Sequence, residues 1–133
     1  MYGVMLAAIG GAVGSSCRYL VGLVCAQIFS PIKWPVGTMI VNLVGCIAAG
    51  FIYRWFELRQ SSFEQPHMLE ARTFLMVGLL GGFTTFSAFS VETALMIRSG
   101  ESLKAILYAA GTVGAGLLLV ALGMKWCDQW FAP

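Results

Sequence analysis

A chain of 133 residues is one domain's worth of sequence, yet 59% of it is hydrophobic and 11% charged, against roughly 45–50% and about 25% in soluble domains. Its mean hydropathy is +0.82, and eight basic plus six acidic residues cannot clothe a water-soluble surface, so the bilayer must solvate much of it. The net charge of +2 is small and the basic residues are scattered, which argues against nucleic acid as a partner.

A helix needs about 20 apolar residues to cross the hydrocarbon core. The first such stretch is Tyr2 to Phe29, interrupted only by Arg18. It follows no basic leader and outlasts a signal-peptide core, so it is expected to be retained. A turn with two prolines follows, Ser30-Pro31-Ile32-Lys33-Trp34-Pro35. The second stretch, Val36 to Tyr53, carries no charge. Arg54 to Arg72 is a polar segment holding Glu57, Arg59, Glu64, Pro66, His67 and Glu70. The third stretch, Thr73 to Ile97, has Glu92 as its only charge. A tight link, Arg98 to Ser102, leads to the uncharged fourth stretch, Ala105 to Met124.

With flanking turns, the helices are predicted at about 2–29, 36–55, 70–97 and 102–128 of a single transmembrane domain, 1–133. Tyr2, Trp34, Tyr53, Trp55, Trp126 and Trp130 lie near the ends, as an interfacial aromatic belt requires. Gly10-xxx-Gly14 and Gly78-xxx-Gly82 have the small-xxx-small form that lets membrane helices approach closely, and Gly111, Gly114, Ala115 and Gly116 act alike. Cys17, Cys25, Cys46 and Cys127 form no Cys-x-x-Cys pair and read as small packing residues.

Orientation is not set by charge. One side of a four-span chain would carry Arg54, Arg59, Arg72 and Lys125, the other Lys33, Arg98 and Lys104, with Arg18 nearer the second. The positive-inside rule gives almost no preference. Either another feature sets the topology, or the chain inserts both ways and two copies can pair antiparallel about a two-fold axis.

The third stretch is unusual for a helix in lipid. Gly81-Gly82-Phe83-Thr84-Thr85-Phe86-Ser87-Ala88-Phe89-Ser90-Val91-Glu92-Thr93 follows paired glycines with paired threonines, then alternates serine with phenylalanine. Such a stretch could break the helix near the bilayer centre, where freed carbonyls must be buried in protein, face water or bind a ligand. Phe86 and Phe89 would share one face and Ser87 and Ser90 another. The rings can equally be core packing, and the hydroxyls can bond back to their own helix. Arg18 and Glu92 are charges inside apolar spans, where they are expensive. Arg18 either draws anions into a vestibule or forms a structural pair. Glu92 is expected to bond nearby hydroxyls or an arginine.

That third-helix segment resembles the signature of the Fluc (CrcB) fluoride channels. Gly10-Gly11-Ala12-Val13-Gly14 with Arg18-Tyr19, and Gly37-Thr38-Met39-Ile40-Val41-Asn42-Leu43-Val44-Gly45, resemble that family's first and second helices. The resemblance implies an all-α membrane protein with a broken third helix, working as an antiparallel, dual-topology homodimer with two pores. It implies a structural sodium ion held by backbone carbonyls of Gly81 and Thr84 from both copies. It implies that Phe86 and Phe89 line the pores, that Asn42 adds a polar contact, and that Tyr108 and Thr112 form a polar track on the fourth helix. The next position of that track is Gly116 here, where relatives often have serine.

The implied function is passive, fluoride-selective export across the cell's inner (plasma) membrane, lowering cytoplasmic fluoride. Neutral donors suit it, since a pore must replace the ion's water without holding it too firmly. Asn42 offers an amide, and Thr38, Ser87, Ser90, Tyr108 and Thr112 offer hydroxyls. Phenyl rings have an electropositive edge that can face an anion. A small multidrug-type proton-coupled exporter is the alternative, but its chemistry needs a carboxylate in the first helix, and Tyr2 to Phe29 has none. A non-transporting subunit of a larger complex is a further possibility. An enzyme is not expected, because no Ser–His–Asp set, metal cluster or phosphate loop is visible.

Overall fold

The computed structural model describes residues 1–29, 34–59 and 66–132. Helix α1 covers Tyr2–Ile28 and α2 covers Val36–Leu58. The third span begins as α3, Pro66–Arg72, and widens into a π-helical segment, Thr73–Leu80. It closes in the short α4, Gly81–Phe83, and resumes as α5, Phe86–Arg98. The last helix, α6, is Ser102–Phe131. Tyr2–Ile28, Val36–Leu58, His67–Arg98 and Ser102–Phe131 are each long and apolar enough to cross a bilayer, so the chain is an all-helical, multi-pass membrane protein. Residues 30–33 of the turn expected at Ser30 to Pro35 and residues 60–65 of the polar segment lie outside the described residues, as does Pro133.

The third span starts before residue 70 and α6 continues past 128. Proline is tolerated as the first helical residue because its missing N–H would have no helical partner there anyway. At the end of α6, Arg54 Nε donates to Asp128 Oδ1 at 2.6 Å and its NH1 to Glu57 Oε2 at 2.8 Å. That pairing ties α2 to α6 and lets polar turns continue both helices beyond their apolar stretches.

The spans pack as two parallel pairs, which next-but-one spans must be. In the first pair, α1 lies against the third span. A Cβ added to Gly10 would stand 2.6 Å from the carbonyl oxygen of Phe74, and one at Gly82 would stand 2.5 Å from that of Gly11. In the second pair, α2 lies against α6. A Cβ at Gly50 would overlap the carbonyl oxygen of Val120, and one at Gly123 that of Ile47. Glycine removes the side-chain layer and brings backbone to backbone, so dispersion contacts replace the hydrophobic force that lipid cannot supply.

The link from α5 to α6 depends on one backbone conformation. Gly100 has φ of 84°, the left-handed region that glycine enters without steric cost. Its N–H bonds Ile97 O at 3.0 Å, and Glu101 N–H bonds Met96 O at 2.9 Å. These two bonds make a Schellman end, which reverses the chain while satisfying the terminal carbonyls. The reversal brings α5 onto α6 through Phe89, Met96, Ala105 and Tyr108, with Met39 of α2 packed beside them.

Candidate functional site

Two residues interrupt the third span. Thr84 has φ −81° and ψ 159°, and Thr85 has φ −149° and ψ 117°, both extended. In hydrocarbon, each peptide group released from a helix needs a new partner. Asn42 on α2 supplies two. Its Nδ2 donates to Thr85 O at 2.9 Å, and its Oδ1 accepts from Thr85 N–H at 2.8 Å. The side-chain amide thus acts as a neighbouring strand would, holding one residue in extended form. Thr85 Oγ1 then accepts from Ala88 N–H at 3.2 Å and caps α5.

These substitutions redirect the donors that Gly81 and Thr84 would meet in a continuous helix. The N–H four residues beyond Gly81 is that of Thr85, taken by Asn42, and the one beyond Thr84 is that of Ala88, taken by Thr85 Oγ1. Both carbonyls therefore fit a hard cation, which prefers oxygen ligands. No group of three or more His, Cys, Asp or Glu suited to a metal occurs among the described residues.

Nearly two turns along α5, the Glu92 carboxylate gathers two hydroxyls from different helices. Thr38 Oγ1 of α2 donates to Oε1 at 2.6 Å, and Tyr108 OH of α6 donates to Oε2 at 2.9 Å. Bonds to an ionised acceptor are shorter and stronger than neutral ones. They answer the cost of a carboxylate in an apolar span through the hydroxyls expected of it.

The parallel register of α2 and α6 puts polar groups level with one another. Gly116 faces Cys46, and Val120 faces Gly50. One turn back, Thr112 is level with Asn42, and a further turn back Tyr108 is level with Thr38, where Glu92 joins them. The Thr112 hydroxyl is buried and has no hydrogen-bond partner among the described residues. An unpaired hydroxyl in such a place costs about 1–3 kcal/mol, so the seam keeps a donor in reserve.

Aromatic rings continue the seam. Phe86 and Phe89 have centroids 5.8 Å apart, Phe89 and Tyr108 5.2 Å, and Tyr108 meets Trp34 edge-on at 6.3 Å. Phe89 is 9% exposed, whereas Phe86 is 78% exposed. A crevice of about 390 Å³ joins Asn42, Cys46, Gly81, Thr84, Thr85 and Phe86. A second cavity of about 390 Å³ is lined by Arg18, Thr38, Thr85 and Ala88, and a wider one of about 540 Å³ adjoins it through Gly22, Gly37 and Thr38, with Glu92 in its wall. Thr85 borders both of the smaller cavities. Arg18 has no ion-pair partner among the described residues.

The structure thus gathers Thr38, Asn42, Phe89, Tyr108, Thr112, Gly81 and Thr84 around the interruption, with Phe86 at its outer edge. Ser87 is exposed but joins the interruption through a 3.3 Å hydroxyl–hydroxyl hydrogen bond with Thr85, whereas Ser90 stands apart, its Oγ donating back to Phe86 O at 2.9 Å. Sequence reasoning missed Thr85, whose backbone is the partner of Asn42. It also did not place Cys46 beside that crevice, which the residue lines. The signal was present: 38, 42 and 46 repeat every four residues in α2, as 108, 112 and 116 do in α6.

Comparison with known proteins bears on this arrangement. A family model described as "CrcB-like protein, Camphor Resistance (CrcB)" matches residues 5–124. A protein of Hyphomonas neptunium named fluoride-specific ion channel FluC is 47% identical over 132 residues, covering 99% of this chain and all of that one. Proteins with the same name from Aquifex aeolicus and Chloroflexus aurantiacus are 43% identical over 120 residues and 40% over 131. They cover 90% and 98% of this chain, and 92% and 98% of their own lengths.

Proposed function

The chain belongs to the CrcB family, and on that premise we propose that it is a fluoride-specific ion channel working as an antiparallel homodimer in the cell's inner membrane. It is a transporter of ions and not an enzyme. The observation that carries the reading is the Thr112 hydroxyl, buried without a partner in a seam whose free donors are all neutral. A small anion arriving there gains a hydrogen bond that the resting protein lacks, and no fixed cation holds it in place.

The path begins in the cavity beside Arg18, whose charge has no protein partner among the described residues and can raise the local anion concentration. It continues past Thr85 and Asn42. One N–H of the Asn42 amide holds Thr85 O, and the other remains to meet fluoride. The start of α5 adds the partial positive charge of a helix N-terminus. Beyond it, the edges of Phe86 and Phe89 meet the anion and narrow the way for larger halides. The exposed face of Phe86 is to be covered by the second copy. That copy would bring its own Gly81 and Thr84 carbonyls, and the four would hold a structural sodium ion, whose positive charge would neutralise the redirected carbonyl dipoles.

The absence of a carboxylate in α1 and the use of Glu92 as an acceptor for two hydroxyls both disfavour the proton-coupled exporter. Liposomes carrying the purified protein should lose internal fluoride rapidly once a potassium ionophore relieves the voltage. Fluoride retained as in protein-free liposomes would reject the proposal.

Phe86→Ile and Phe89→Ile, made separately, are expected to slow that efflux by about tenfold each, the equivalent of an aromatic-edge interaction of about 1.4 kcal/mol. Elution as a single species on size exclusion establishes that each variant is folded. Efflux at the wild-type rate from both would reduce the rings to packing.

A further inference from the structure

We propose that the Cys46 thiol is the third donor of the anion path, standing in for the hydroxyl that Gly116 does not provide; the inference rests on the fluoride-channel reading above. Cys46 lines the crevice that also holds Asn42, Thr85 and Phe86. A Cβ added at Gly116 would lie 3.2 Å from Cys46 Sγ. At that spacing the thiol would have to give by a few tenths of an ångström to admit a side chain at 116. The thiol therefore borders the space that a side chain on α6 would enter, at the rung after Asn42 and Thr112.

An independent feature points to a ligand at this level. Thr112 lies one turn from Gly116 on the same buried face of α6, is 8% exposed, and has a hydroxyl with no partner among the described residues. Cys46 likewise donates no hydrogen bond among the described residues. A thiol is a weak donor and a larger, more polarisable group than a hydroxyl. A fluoride ion leaving the Thr112 hydroxyl would meet the S–H next. A weak donor there suits release, because a conducting site must let go of its ion.

The inference makes 46 and 116 interchangeable as donor positions, which simple packing does not. In liposome efflux, Cys46→Ala is expected to slow fluoride by about threefold to tenfold, and Cys46→Ser to restore it to within about twofold of wild type. Gly116→Ser alone should be slower than wild type, since its side chain crowds Sγ and displaces the thiol. The double variant Cys46→Ala/Gly116→Ser should be faster than either single variant, because one hydroxyl then replaces the thiol without that crowding.

A second measurement is made on the wild-type protein and needs only the conservative Cys46→Ser variant as its control. Methyl methanethiosulfonate, a small neutral thiol reagent, should slow efflux through the wild-type protein, with fluoride in the medium retarding the modification. The Cys46→Ser protein should be insensitive to it. Wild-type rates in Cys46→Ala, no gain in the double variant, or equal sensitivity of wild type and Cys46→Ser would each overturn the inference. Loss of all fluoride efflux from unmodified wild-type protein would instead overturn the channel reading itself.

Discussion

Asn42→Asp is expected to lower fluoride efflux by a hundredfold or more while the protein still folds. The amide of Asn42 donates to Thr85 O and accepts from Thr85 N–H. Aspartate can keep the second bond but presents an oxygen where the first had a donor, so two acceptors face each other at the interruption. Its charge also stands beside the path. At about 4 Å and an effective dielectric of about 20, two like charges repel by about 4 kcal/mol, which is about a thousandfold in rate. Measured efflux from liposomes, compared with Asn42→Ala, separates the two effects. Alanine removes the latch without adding charge and should be the milder change. Equal, near-normal flux through both variants would take Asn42 out of the path.

Gly14→Val is expected to damage the fold rather than the pore. A Cβ on Gly14 would overlap the carbonyl oxygen of Leu79 and approach Phe83 N to 2.8 Å. Both obstacles are backbone, so no rotamer change relieves them, and α1 must move off the third span. Overpacking of this kind costs about 1–3 kcal/mol or more, which corresponds to a drop of about 10 °C in the melting midpoint of a protein this size. Gly3 has nothing within 4 Å of an added Cβ, and Gly3→Val should melt as wild type does. The comparison is read by thermal unfolding in detergent. Similar midpoints for the two variants would show that α1 is not held by close backbone contact.

The four spans were legible because hydropathy and length are local properties. The glycine pairs of α1 and the third span were legible as contact surfaces for the same reason. The partners were not. Which helix α2 lies along, and in what register, depends on packing between spans separated by a whole further crossing. The level meeting of Asn42 with Thr112, and of Cys46 with Gly116, follows only from that register. Glu92 illustrates the boundary well. An apolar span made clear that its carboxylate needed donors, yet nothing in the sequence selected Thr38 and Tyr108 from the available hydroxyls.

Asn42 shows a different limit. An asparagine in an uncharged span reads as a polar contact for something, and its being a latch on Thr85 depends on where the third span breaks. The paired glycines and threonines marked that neighbourhood, but the extended pair is Thr84 and Thr85 rather than the glycines themselves. Gly81 and Gly82 remain helical in α4, where Gly82 lets the span press against Gly11. Threonine suits the extended positions because β-branching favours that backbone, and its hydroxyl caps the helix that follows.

The central claim is that neutral donors along the α2–α6 seam and the interrupted third span pass fluoride in preference to larger anions. Electrical recording of the purified protein in planar bilayers, with fluoride on one side and chloride on the other, tests it most directly. The expected result is a current whose reversal potential follows the fluoride gradient, with no measurable chloride current in symmetric chloride. Equal conductance for the two halides would contradict the account.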